Sequence, residues 1–118
     1  MATTYAAAAT LSTPQCGKFV LCSTDGVVIT LPAAQPGLNY TIMNTASDGG
    51  ALLVIRTAIT TDLIVGNGGA STAANVAALN TKATQRYGDF VMLQVGGATT
   101  GWWVLDNVVG TWAMATTT

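Results

Sequence analysis

Few residues in this chain could do chemistry, and those few lack partners. The candidates are two cysteines, Cys16 and Cys22, and five aspartates, Asp25, Asp48, Asp62, Asp89 and Asp106. There is no histidine and no glutamate. General acid–base catalysis relies on His, Glu or paired Asp within reach of the moving proton. A thiol or hydroxyl nucleophile needs an adjacent base, and nothing in the chain supplies one. A zinc site wants four Cys or His ligands, and "SDGG" offers a calcium ion one carboxylate where several oxygens are required. Asp25, Asp48 and Asp89 each flank a glycine in turn contexts, where the side chain commonly caps local backbone. Asp62 and Asp106 could meet only through the fold. "GNGGAST" is glycine-rich but lacks the Gly-Lys-Ser/Thr ending that holds phosphate. The chain is therefore expected to have no catalytic, cofactor or metal site and not to be an enzyme.

The cysteines sit in "CGKFVLC". If that stretch is extended, their Cα atoms lie about 20 Å apart at ~3.3 Å per residue, and a disulfide needs less than about 7 Å. Free thiols are expected, in keeping with synthesis in a reducing compartment. The first fifteen residues carry no positive n-region, so no signal peptide is expected. "NYT" at Asn39 to Thr41 matches a glycosylation sequon but has no other sign of secretion beside it.

Charge is the second unusual feature. Of 118 residues only 8% are charged and half are hydrophobic, with a net charge of −1 and a mean hydropathy of +0.47. Ordinary soluble domains carry about 25% charged residues, which keep their surfaces solvated and apart. Two readings compete. One is a secreted β-domain with a hydroxyl-rich surface. The other, favoured here, is a surface covered by copies of itself or by a scaffold. Lys18, Arg56, Lys82 and Arg86 are too few and scattered to grip phosphates, so nucleic acid is not an expected partner. An anionic membrane surface is not expected either, for the same reason. The longest apolar runs are strand-sized, well short of the roughly 20 residues that a membrane-spanning helix needs.

The elements that must position these residues read as strands. "KFVLCS" and "VVITL" flank "TDG" and read as a hairpin from Phe19 to Leu31. Pro32 and Pro36 break the chain. "LNYTIMN" alternates, with Leu38, Tyr40 and Ile42 on one face and Asn39, Thr41 and Met43 on the other, which is the period of a half-buried strand. The second face solvates weakly and is a candidate contact surface. "DGG" reads as a hairpin-type turn before "ALLVIR", a strand buried on both faces. "TDLIVG" is a short strand, and "AANVAALNTKATQRYG" fits a helical face and a strand equally. "DFVMLQV" and "WWVLDN" pair around "GGATTG", and "VVGTWAMA" supplies a last strand. No internal repeat of solenoid length is visible, so a solenoid is not expected. The expected fold is all-β: a single antiparallel β-sandwich or barrel, jelly-roll-like, with an extended N-terminal arm. The arm spans residues 1–16, the β-domain 17–115 and a tail 116–118.

Four residues stand out as candidate contacts with a subunit or a scaffold: Tyr5, Arg56, Trp102 and Trp103. Adjacent tryptophans on a strand point to opposite faces, so one of Trp102 and Trp103 is expected to face outward as an interface anchor or, less favoured, as a sugar platform. Trp112 is expected in the core. Arg56 either snorkels to solvent or pairs with Asp62 or Asp89 of a neighbouring subunit.

Together, Val28-Ile29-Thr30-Leu31-Pro32, Gly37, Tyr40-Thr41-Ile42 with Asn44, Val54-Ile55, Ile64-Val65-Gly66, Val91-Met92-Leu93 and Trp102-Trp103-Val104 resemble a pattern common in β-rich virion proteins of tailed bacteriophages. The match runs from Phe19 to about Trp112. The short length and the leading segment are more similar to head decoration (cement) proteins than to tail fibres and tailspikes. That resemblance implies a homotrimer on the capsid surface, made in the host cytoplasm, binding the major capsid protein and tying the shell together. The alternative it implies is a fibre-type receptor or carbohydrate-binding module.

Overall fold

A computed structural model describes residues 2–58, 62–66, 69–70, 76–95 and 102–116. It is all-β, with twelve strands among the described residues: β1 (Ala2–Tyr5), β2 (Ala9–Thr10), β3 (Phe19–Cys22), β4 (Val27–Leu31), β5 (Asn39–Asn44), β6 (Leu53–Thr57), β7 (Leu63–Gly66), β8 (Gly69–Ala70), β9 (Val76–Asn80), β10 (Asp89–Val95), β11 (Trp102–Val109) and β12 (Ala113–Thr116). The first sheet runs β1-β3-β5-β10-β11-β7-β8 and the second β12-β9-β6-β4-β2.

Up to β6 the strands alternate between the sheets, so the chain winds around the core. Within each sheet the successive turns pair in parallel: β1 with β3 and β3 with β5 in the first, β2 with β4 and β4 with β6 in the second. Ala2 lies beside Phe19 and Phe19 beside Thr41. Ala9 lies beside Ile29, and Val27 beside Leu53. Each winding takes up a different length of chain, which is why no repeat is visible. After β6 the pairing becomes mostly antiparallel, and β10 and β11 lie side by side as expected.

The sheets are thus mixed, not antiparallel, and the two early hairpins are arches. β3 and β4 lie in different sheets, as do β5 and β6. The reason is where the apolar faces go. Val20 and Cys22 of β3 must cover Val27, Ile29 and Leu31 of β4, all of them buried in one core. An arch brings two such faces together, whereas a hairpin would set them side by side. The turn residues suit either outcome.

The stretch expected as an arm belongs to the sheets. β1 and β2 form the first winding, Leu11 is fully buried, and its amide donates to the Thr30 carbonyl at 2.8 Å. A 3-10 turn follows over Thr13–Gln15. The Tyr40 hydroxyl donates to the Ser12 carbonyl at 2.7 Å, tying this segment to β5. Removing it would strip the core and uncover β3 and β4 together.

β11 contains an irregularity that the core requires. Trp103 and Leu105 face inward opposite Val95 and Leu93, and the register slips before Val108 meets Val91. The extra residue is Asn107, with φ of 35°. Without this bulge, period 2 would turn Val108 outward. With it, Val108 packs against the core.

Both cysteines are free, Cys16 half-buried and Cys22 buried. Burial pushes the Cys22 thiol up to about 12. Burial, then the neighbouring Cys16 thiol, pushes the Tyr40 phenol up to about 12. The folded protein holds both protons more tightly than the unfolded chain, where the groups ionise near 9.0 and 10.0. Their contribution to stability is complete below pH 9 and is lost as pH rises from 9 towards 12. The urea midpoint should fall between pH 8 and pH 11, and Cys22→Ala with Tyr40→Phe should flatten that fall. An equal wild-type midpoint at both pH values would contradict this.

Candidate functional site

The outer face of the first sheet is the exposed surface with the strongest contact character. Its residues follow from the register. One row runs Ala2, Phe19, Thr41, Met92 across β1, β3, β5 and β10. The next runs Thr4, Leu21, Met43, Phe90, Val109 and reaches β11. A third runs Asn39, Gln94, Val104. At about 4.8 Å between strands, five strands make a band roughly 19 Å wide. Phe19 is 41% exposed, Met92 39% and Val109 43%. Three of the four large hydrophobic side chains left exposed among the described residues, all but Tyr87, therefore lie on this one face. None of the side chains described in these rows is charged. Asp106 pairs through its backbone with Met92, and its side chain lies outside the described residues.

Most of the other ionised groups are held by the segments that connect the strands. Asp25 accepts from the Leu52 amide at 2.9 Å and meets Lys82 Nζ at 2.9 Å. The Leu52 amide first, then Lys82, hold the exposed Asp25 carboxyl below its usual range. Asp48 accepts from the Tyr87 amide at 3.0 Å, with Arg86 Nε 3.9 Å away. Asp62 accepts from the Ala34 amide at 2.9 Å. Asp89 accepts from the Arg86 amide at 3.0 Å. These carboxylates are structural, and both ion pairs join the connecting segments rather than the sheet faces. Exposed pairs of this kind contribute little to stability.

Between these arches the core is polar and closely matched. Asn44 of the first sheet donates through Nδ2 to Asn80 Oδ1 of the second at 2.8 Å and to the Ala51 carbonyl at 3.1 Å. Asn44 Oδ1 accepts from the Ala46 amide. Asn80 Nδ2 in turn reaches Asp89 Oδ2 at 3.1 Å and the Thr111 carbonyl at 3.2 Å. Gln85, fully buried, accepts from the Gly50 amide and donates to the Ala46 carbonyl, both at 2.9 Å. Gly110 passes so close to the Asp89 carboxylate that a Cβ there would collide with it, and its φ of 93° suits glycine alone.

The structure does not gather the four residues singled out in the sequence into one site. Tyr5 is half-buried on the inner side of β1, and its hydroxyl accepts from Gln15 Nε2 at 2.6 Å. Arg56 stands half-buried on the second sheet beside Thr30. The two carboxylates expected to meet it from a neighbour, Asp62 and Asp89, are both buried and already bonded within the chain. Trp103 is wholly buried and lies against Tyr40, with ring centroids 5.8 Å apart. It is a core residue and not a contact. Its Nε1–H has no partner among the described residues. Trp102 pairs through its backbone with Leu63, and its side chain lies outside the described residues. Trp112 is core, as expected, and its Nε1 donates to the Val109 carbonyl at 3.0 Å. The fold does not bring Asp62 and Asp106 together. β7 and β11 pair in parallel with Leu63 beside Trp102, which leaves the two backbones roughly 15 Å apart along the strands.

Among the described residues there is no surface pocket and no cluster of three or more metal-ligating side chains. What this surface can do is bind a flat, dehydrated partner. Reading the sequence strand by strand identifies one stripe of it, Asn39, Thr41 and Met43, but misses Phe19, Leu21, Phe90 and Met92. The same alternation in "KFVLCS" and "DFVMLQV" would have found them. A scan against models of known protein families finds no match for this chain, and a search of curated proteins finds none.

The polar plug yields a direct stability test. Asn80→Ala removes three hydrogen bonds from the buried plug. It should cost on the order of 3 kcal/mol in urea unfolding. A loss within about 0.5 kcal/mol, the range of an exposed site, would contradict the bridge.

Proposed function

We propose that the chain is a structural protein of a phage virion that binds the assembled head and stabilises it, using the outer face of the first sheet as its seat. The observation that supports this most is the concentration of Phe19, Met92 and Val109 on one face of a rigid sandwich, among neighbours whose described side chains are uncharged. A face of this kind gains free energy at about 25 cal/mol per Å² of apolar surface covered. Neither ion pair found among the described residues lies on it, so docking desolvates neither. The resemblance of the strand pattern to decoration proteins points to the major capsid protein as the partner. The seat here is the sheet, because the first fifteen residues are built into the fold. Copies that bind only the assembled shell shift its equilibrium away from disassembly by mass action. The carbohydrate-binding alternative would rest on Trp102, since Trp103 is buried in the core and is not a platform.

Purified heads of the phage that encodes the chain, stripped of it, should bind the wild-type protein in cosedimentation and survive a higher temperature with it. Phe19→Lys with Met92→Lys replaces exposed side chains, so the variant should fold normally by circular dichroism and bind at least tenfold more weakly. Binding by that variant at full strength would overturn the assignment of the seat. Absence of wild-type binding would overturn the function.

A further inference from the structure

The first winding of the chain ends both sheets at one end of the molecule, and among the described residues no further strand pairs with either edge. Among the described residues β1 is bonded on one side, to β3, and β2 on one side, to β4. Each therefore presents a bare row of backbone N–H and C=O groups. Exposed edges are usually guarded by charge, proline, a bulge or a covering loop. The two edge strands carry none of the first three. The chain has no charged residue before Lys18, and Pro14 lies outside both strands. The β1–β3 and β2–β4 registers run without a bulge. Ala2 and Thr4 are exposed on the outer side, small enough to admit a neighbouring strand, while Thr3 and Tyr5 turn inward.

We propose that two copies of this chain join end to end through these edges, β1 pairing antiparallel with β1 and β2 with β2. The geometry supplies the reason that a second copy fits. A two-fold axis along the normal of the sheets reverses strand direction and carries each sheet into a continuation of itself. One axis therefore satisfies both edges at once, joining two seven-stranded sheets and two five-stranded sheets. The contact is isologous and closes on itself. Identical edges normally repel through their charges, but these side chains have none, and the net charge of −1 adds little at long range. Antiparallel β1 strands centred on the axis set Thr3 opposite Thr3 on the inner side and Ala2 opposite Thr4 on the outer side, and cross-strand threonine pairs are favourable. The pairing is two-fold, unlike the trimer implied by the resemblance to decoration proteins, and it does not rest on shell binding.

Sedimentation equilibrium of the full chain over a hundredfold concentration range tests this. The wild type should associate to twice its 12.0 kDa mass. Ala2→Lys with Thr4→Lys places like charges face to face across the axis and should weaken association at least tenfold. A hydrogen-exchange measurement on the wild type decides the matter even if the variant does not fold. Amides of residues 2–5 and 9–10 should exchange more slowly as concentration rises, with those of β10 unchanged. A monomer at every concentration, a trimer, or a dimer whose β1 amides stay unprotected would overturn the proposal. Each of these results leaves the shell-binding experiment to be judged by itself.

Discussion

A hydrogen bond between two asparagine side chains joins the two sheets where their hydrophobic contact gives out. Over most of the sandwich the sheets meet through Val, Ile and Leu, and any volume-conserving repacking would serve. At the end where β5 arches into β6, and where the segment after β9 returns to β10, the core is instead Asn44, Asn80, Gln85 and Asp89, all buried. Such groups are costly to bury unless every one is satisfied. Here each has hydrogen-bond partners, most of them backbone groups of the connecting segments. The plug therefore fixes the path of the connections as well as the spacing of the sheets. It also explains the glycine at Gly110, which lets the chain pass the Asp89 carboxylate on its way to β12.

The surface follows from that arrangement. A chain with nine ionised side chains that ties Asp25, Asp48, Asp62 and Asp89 to backbone amides has few left to solvate its faces. The two ion pairs lie on the connections, and the described side chains in the outer rows of the first sheet are Thr, Asn, Met, Phe and their like. The same economy leaves the first winding with open, uncharged edges. Water is held weakly on the broad face, so protein can displace it there at small cost, while the edges offer backbone groups that a neighbouring strand can satisfy in place of water.

Much of this was legible in the residues. Alternation in "LNYTIMN" correctly separated Leu38, Tyr40 and Ile42 from Asn39, Thr41 and Met43, and the apolar density of "ALLVIR" matched a strand buried almost throughout. The all-β class and the pairing of β10 with β11 followed from the same signals. What the residues could not convey was the partner of each strand. "TDG" and "DGG" serve an arch as readily as a hairpin, and windings of unequal length leave no period to detect. The bulge at Asn107 was also hidden, because it shifts the phase of "WWVLDN" midway. Polar residues such as Asn44 and Gln85 read as surface by type, and only the convergence of three connections makes them core. Trp103, weighed as a contact, is core, and weight given to isolated aromatics and a cation passed over the less conspicuous alternation that builds a whole face.

Oxidative footprinting of Met92 measures the central claim most directly. Its sulfur lies in the middle of the proposed seat and is open to solvent in the free chain, whereas the inward-facing Met114 provides an internal reference. On heads carrying the bound protein, Met92 should oxidise several-fold more slowly than in the free protein while the rate at Met114 is unchanged. Equal rates at Met92 in the bound and free protein would show that the head is held by some other surface, and would contradict the account.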